Sequence, residues 1–261
     1  MRKPRFIVPT IAAGVLVLAG CSSTDSGTSD DEGGLALVTD GQLTVCTNPP
    51  FEPFEFEQDG EIVGLDIAIA EEIATDLDVE VATVITPFEG IQSGAALNAG
   101  QCDLVASGIT ITPERQNNID FSEPYFAADQ GLLVPEGSDL SSIESLADAN
   151  VGVMVETTGQ AWALDNGLTV TEFDDLGAQV QALETGQVDA IVNDVATLTP
   201  FVSDGFELGN NFATDEEYGL GVKKGSTELL DAVNGTLERI QEDGTYDALY
   251  TEWIGTAPSE G

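Results

Sequence analysis

Apolar positions along the chain fall into two successive rounds of short buried runs alternating with four-residue stripes. Leu43 to Thr47 reads as a buried strand, and Leu65, Ile69, Ile73 and Leu77 recur at helical spacing with Asp66 as an N-cap. A strand from Val79 to Val84 follows, then a short helix from Glu89 to Asn98 closed by Gly100, then a strand from Asp103 to Ser107. This order implies right-handed crossovers and a parallel sheet. The pattern recurs downstream. Val151 to Val155 and Leu168 to Phe173 read as strands, Gln160 to Asp165 and Leu176 to Glu184 as helices, and Ala190 to Val192 as a closing strand.

The two rounds share a phrase: Ala96-Leu97-Asn98-Ala99-Gly100-Gln101-Cys102-Asp103 stands against Ala182-Leu183-Glu184-Thr185-Gly186-Gln187-Val188-Asp189. We therefore expect two α/β lobes of similar design. In that alignment Ser107-Gly108 lies opposite Asn193-Asp194, each pair at the carboxyl end of a strand, where open α/β sheets bind ligands. Asp120 to Gln130 and Thr214 to Tyr218 flank the second round and are the expected crossings between lobes, a hinge that moves by a few backbone torsions. Leu229, Val233, Leu237 and Ile240 form another stripe, and Tyr246 to Trp253 a last helix expected to pack back on the first lobe.

The amino terminus changes the picture. Arg2, Lys3 and Arg5 precede an apolar run from Phe6 to Leu18, too short for a stable transmembrane helix of about 20 residues. Residues 1–20 read as a secretory signal ending in Leu18-Ala19-Gly20-Cys21, a lipobox-like sequence whose Cys21 thiol would take the lipid, with 21–38 as a flexible tether rich in Ser, Asp and Gly. Two cysteines then remain in an oxidising compartment. Cys46 falls near the end of one predicted strand and Cys102 near the start of another, so two small buried hydrophobes are weighed slightly above a disulfide.

Charge narrows the function classes. The 261 residues hold 47 Asp and Glu against 7 Lys and Arg, a formal net charge of −40. Nucleic acids and anionic membrane surfaces are polyanions that such a field repels, so no nucleic-acid partner is expected. The chain has no histidine, which removes Ser-His and Cys-His nucleophile pairs and most catalytic zinc centres. No cofactor and no metal are expected. Such self-repulsion destabilises a compact state unless salt screens it, so a salt-rich habitat is a natural expectation.

Arg115 is the only cation between Arg5 and Lys223. It ends the stretch Ser107-Gly108-Ile109-Thr110-Ile111-Thr112-Pro113-Glu114-Arg115, which brings hydroxyls and a bare glycine backbone near a five-donor guanidinium, a set suited to a carboxylate. Asp194, in the opposite lobe, suits a ligand ammonium, and it also stands where a helix N-cap would. A zwitterion held by both would favour the closed lobes. Asn48-Pro49-Pro50-Phe51-Glu52-Pro53-Phe54-Glu55-Phe56 is a stiffened aromatic loop. Phe51 and Phe88 are wall candidates there, and Phe54 and Phe56 are read as core. Glu156-Thr157-Thr158-Gly159-Gln160 fails as a phosphate loop, lacking its lysine and glycine spacing.

Leu43 to Leu77, Ser107 to Phe121 with Phe121-Ser122-Glu123-Pro124-Tyr125, Val188 to Asp194, and Tyr246 to Trp253 together resemble the polar amino acid binding lipoproteins of ABC importers, the family 3 extracytoplasmic solute-binding proteins. The resemblance implies a two-lobed type II periplasmic-binding-protein fold, each lobe a mostly parallel sheet flanked by helices. It places lobe 1 at 39–126 and 219–257 and lobe 2 at 127–218. It further implies a monomer, anchored outside the cell by lipid, that passes a free amino acid to a membrane permease. Arg115, Thr110 and Thr158 would hold the ligand carboxylate, Asp194 and Gly108 its amino group, and Asn48, Phe51, Phe88, Val155 and Asn193 its side chain. Many relatives carry an acid at Asn48, and glutamine-binding ones a basic residue at Val155 and a histidine at Asn193. With no cation for an acidic ligand, a neutral side chain, polar or modestly apolar, is favoured. The same resemblance extends to periplasmic dehydratases, for which Glu52, Glu156 and Asp194 are the cleft acids, and to sensor domains, which would need a membrane span and an output domain. A structural surface lipoprotein would leave Arg115 and its hydroxyl-rich approach without a purpose.

Overall fold

The computed structural model describes residues 35–203 and 205–255. The expected signal, Cys21 and most of the expected tether lie outside the described residues. Leu35 and Leu37 pack against the core and so belong to the folded unit rather than to a tether reaching residue 38. Among the described residues no helix is long and apolar enough to cross a membrane.

In chain order the strands are β1 (Gln42–Thr47), β2 (Phe56–Gln58), β3 (Glu61–Val63), β4 (Glu80–Ile85), β5 (Leu104–Val105), β6 (Ile119–Phe121), β7 (Phe126–Pro135), β8 (Asn150–Met154), β9 (Thr169–Phe173), β10 (Ala190–Asp194), β11 (Phe206–Tyr218) and β12 (Gly221–Lys223). The helices are α1 (Leu65–Asp76), α2 (Phe88–Gln92), α3 (Ala95–Asn98), α4 (Thr158–Asp165), α5 (Leu176–Glu184), α6 (Val195–Leu198), α7 (Thr227–Asp243) and α8 (Thr245–Trp253). One sheet runs β4-β1-β5-β12-β6 and the other β11-β7-β10-β8-β9, with β2 and β3 a separate hairpin. In each sheet one strand, β12 or β7, runs against the other four.

Burial explains why these segments settle as they do. In α1 no side chain caps the N-terminus, yet Leu65, Ile69 and Ile73 are fully buried. At about 1.5–3 kcal/mol each, that burial outweighs the roughly 1 kcal/mol a cap contributes. Asp66 does not cap the helix; Gly64 holds that place and Asp66 is itself fully buried. The helix expected over 89–98 is two, because Gly94 takes a left-handed conformation with φ 71° between α2 and α3.

The chain passes from the first sheet to the second between β6 and β7 and returns between β11 and β12. The two passages are bonded to each other: Ser122 N–H donates to Leu220 O at 2.8 Å, Leu220 N–H to Ser122 Oγ at 2.9 Å, and Tyr125 N–H to Tyr218 O at 3.0 Å. Residues 126–130 and 214–218, expected within the crossings, lie in β7 and β11, where Phe126, Ala127 and Ala128 pair with Tyr218, Glu217 and Glu216. After the return, α7 and α8 lie against α1, where Arg239 meets Glu72 at 2.8 Å and Asp76 at 2.9 Å.

Cys46 and Cys102 form a disulfide with their Cα atoms 5.7 Å apart, which corrects the preference for two free thiols. The reason is local. Strand β5 begins only at Leu104, so Cys102 lies in the turn leading into it and strand register does not govern its position.

Candidate functional site

The residues that follow β1, β5, β8 and β10 converge at the carboxyl ends of these strands. They line a narrow pocket made by Asn48, Phe51, Glu55, Phe88, Ser107, Gly108, Thr110, Arg115, Met154, Thr157, Thr158 and Asp194.

Arg115 sits in a 3-10 turn and is only 5% exposed. Its Nη1 donates to Thr110 O at 2.9 Å and its Nη2 to Glu156 O at 3.0 Å. Two of the five guanidinium N–H groups are thereby fixed and three are left to a ligand. Glu156 presents its carbonyl from a left-handed conformation, φ 62°, on the loop between β8 and α4. Phe88 lies under the guanidinium, 5.3 Å from Cζ to the ring centroid. Among the described residues Arg115 makes no ion pair, whereas Arg239 and Lys224 each meet carboxylates at the surface. Burial pulls its pKa down, and Asp194 and Glu216 push it back up.

Asp194 ends β10 opposite Gln130 of β7. It occupies the N-cap position of α6 without a side-chain capping bond. Its carboxylate instead accepts from Gln130 Nε2 at 2.7 Å. The same amide reaches Glu216 Oε2 at 3.0 Å, and Thr158 Oγ1 donates to that oxygen at 3.1 Å. Burial first, then the charge of Glu216, raises the Asp194 pKa to about 7. Thr110 and Thr158 bring their hydroxyl oxygens within 3.4 Å of each other.

Gly108 has φ 47°, and a Cβ there would stand 2.6 Å from the Phe51 ring, so glycine is required. Its N–H is taken by Asp66 Oδ2 at 2.8 Å, and the other Asp66 oxygen accepts from the Tyr125 hydroxyl. The role of Asp66 is therefore to fix the Ser107-Gly108 turn. Burial raises its pKa to about 6.

Of the ten residues expected at the ligand, eight line the pocket and Val155 and Asn193 do not. Strand alternation explains both misses. Met154, one position before Val155, takes the lining place. Asn193 donates to Gln179 Oε1 at 2.9 Å on α5 and accepts from the Asp194 N–H at 2.8 Å. Phe54 is fully buried, edge-on to Phe126 at 4.8 Å and Tyr218 at 5.0 Å; Phe56 is half-buried in β2 and packs edge-on to Trp253. Glu55, Ser107, Met154 and Thr157 line the pocket without having been singled out for it. Glu55 gave no signal, since a charged residue inside an aromatic loop reads as solvated. Gln130 and Glu216 likewise lack any pattern; only cross-strand pairing brings them to Asp194.

A cleft at strand ends between two sheets joined by two short passages defines a two-lobed solute-binding protein. The chain belongs to the bacterial extracellular solute-binding proteins, family 3, whose model matches residues 43–256. It is similar to the ABC transporter glutamine-binding protein GlnH of Bacillus subtilis, 33% identical over 94% of this chain and 95% of that one. It is also similar to the L-cystine-binding protein TcyJ of Escherichia coli K12, 31% identical over 93% and 94% of the two chains. Among solved structures, an ancestral arginine-binding protein bound to arginine superposes with a TM-score of 0.77 at 39% identity, covering 82% of this chain and 98% of that one.

Proposed function

We propose that this protein captures a free amino acid outside the cell and passes it to the permease of an ABC importer. One observation carries the reading: a buried guanidinium without a carboxylate partner shares a pocket with a buried aspartate from the other sheet. The three remaining N–H groups of Arg115 take the α-carboxylate, with Thr110 and Thr158 beside them, and Asp194 with the Gly108 carbonyl takes the α-ammonium. The relatives, named for glutamine and cystine, support an amino acid as the solute. They are binding proteins, which disfavours the dehydratase reading. An acidic side chain would find no cation besides Arg115 among the lining residues.

Residues 39–126 and 219–257 act as one lobe and 127–218 as the other, closing on the ligand as a monomer. The leader and Cys21 support a lipid anchor that keeps the protein near its permease. Its acidity suits a salt-rich medium. Calorimetry on Arg115→Ala tests the site: amino acid affinity falls at least a hundredfold while the circular dichroism spectrum stays unchanged. Retained affinity would refute it.

A further inference from the structure

Glu216 does not line the ligand pocket, yet an irregularity in β11 aims it at residues that do. Phe212 pairs with Gln130 and Glu216 with Ala128, so β11 advances four residues while β7 advances two. The extra length is a bulge, a feature that re-aims a side chain within a ladder. Asp215 takes φ 53° inside it, and the Thr214 N–H fastens it by donating to Asp129 Oδ1 at 3.0 Å. From there Glu216 Oε2 accepts from Gln130 Nε2 at 3.0 Å and from Thr158 Oγ1 at 3.1 Å. Gln130 Nε2 also donates to Asp194 Oδ1 at 2.7 Å. One amide thus commits both its hydrogens to two carboxylates. Turning it over would set its oxygen against both acids, and that oxygen stays buried without a partner. Gly159 leaves room for it, since a Cβ there would stand 2.7 Å from Gln130 Oε1.

We propose that Glu216 is a positioning residue for the ammonium end of the ligand: it holds Asp194 through the Gln130 amide, and its charge sets the pH range in which Asp194 receives an ammonium. This rests on the amino acid reading of the pocket and deepens it. The titratable or charged groups that face Asp194 are Arg115, from the turn before β6, and Glu216 and Tyr218, both from β11. Burial holds Tyr218 neutral throughout. Glu216 is therefore the one anion set against the Asp194 carboxylate. Burial first, and then Glu216, raises the Asp194 pKa to about 7, while Tyr218, Gln130 and Arg115 pull it down. A protonated Asp194 offers an ammonium no charge, so affinity falls as pH drops through that value. Without the charge of Glu216 the ionised aspartate costs less, and the fall comes at lower pH.

Calorimetry on the full chain between about pH 5 and 8 tests this, with whichever protein amino acid raises the thermal midpoint most as the probe. Affinities are divided by those of Asp194→Asn at the same pH, which removes any titration of the probe itself. For the parent this ratio falls about tenfold from pH 8 to pH 5.5. In Glu216→Gln, which keeps the shape and removes the charge, the midpoint of the fall moves at least half a pH unit lower. A merely structural role would weaken binding equally at every pH. A midpoint shift smaller than half a unit would overturn the proposal, as would a ratio for the parent that does not change with pH. If Glu216→Gln does not fold, Glu216→Ala is read in the same way. Loss of binding in Arg115→Ala beside an unmoved midpoint in Glu216→Gln would sink the role of Glu216 and leave the amino acid reading standing. Retained binding in Arg115→Ala, or no amino acid bound by the parent, would sink that reading instead.

Discussion

The two sheets repeat one scaffold down to single hydrogen bonds. In the first, Asp103 N–H donates to Thr44 O and Asp103 Oδ2 accepts from Thr44 N–H; in the second, Asp189 N–H donates to Asn150 O and Asp189 Oδ2 accepts from Asn150 N–H. The turn before each aspartate is closed by Gly100 or Gly186, both at positive φ, with Gln101 or Gln187 bonded back to Ala96 or Ala182. Strand register matches too: Val45 pairs with Leu104 and Cys46 with Val105, as Val151 pairs with Ala190 and Gly152 with Ile191. Where the first sheet has Cys46 and Cys102, the second has Gly152 and Val188, and the Val188 methyl lies 3.3 Å from where a Gly152 Cβ would be. The same frame is stapled by a covalent bond on one side and filled by a methyl group on the other. At the pocket the partition is chemical. The first lobe contributes the cation Arg115 and the acceptors Asn48 and Glu55; the second contributes Asp194, Met154 and two threonines.

Transplanting the second lobe's solution into the first is the severest way to break this comparison. Cys46→Gly with Cys102→Val removes a crosslink spanning 56 residues. We expect a loss of about 2–5 kcal/mol in denaturant unfolding with ligand affinity unchanged, because neither residue lines the pocket. A loss below 1 kcal/mol would make the crosslink dispensable to the first lobe.

Asp194→Asn sharpens the chemical partition. The carboxyl has its pKa raised to about 7, so it is ionised, and able to meet an ammonium, mainly above that pH. The variant should bind about tenfold more weakly at pH 8, a difference of roughly 1.4 kcal/mol, and almost equally to the parent at pH 5.5. A gap of the same size at both pH values would assign Asp194 a structural role. The unliganded fold follows the opposite sign. Asp66 and Asp194 hold their protons to higher pH when folded than when unfolded, so their contribution to stability is full below about pH 4 and falls as pH rises through 6 to 7.

Salt has the smallest expected effect and acts on both lobes alike. With 47 acids and 7 cations, the thermal midpoint should rise by several degrees between low and molar salt as the Debye length shrinks to about 3 Å. A flat or falling midpoint would separate the acidity from salt tolerance.

Legibility followed the same division. The repeated phrase announced two lobes because apolar periodicity and a turn glycine are local signals, and Arg115 stood out because no other cation lies near it in sequence. β11 was missed. Exposure alternates from Asn211 to Tyr218, but the less exposed positions include the polar Thr214 and Glu216, so the alternation is not written in apolar residues. Val155 and Asn193 were each one residue from a lining side chain, the error that strand alternation magnifies most. Glu55 and Gln130 depend on partners 52 and 64 residues away, Ser107 and Asp194, which no window of sequence contains.

The most direct test of a zwitterion held end to end uses the ligand rather than the protein. Titrate the chain by calorimetry with its preferred amino acid, then with the same amino acid amidated at the carboxylate and with its N-acetyl form. The account predicts that each blocked form binds at least a hundredfold more weakly than the parent. Parent-like affinity for either one would contradict it.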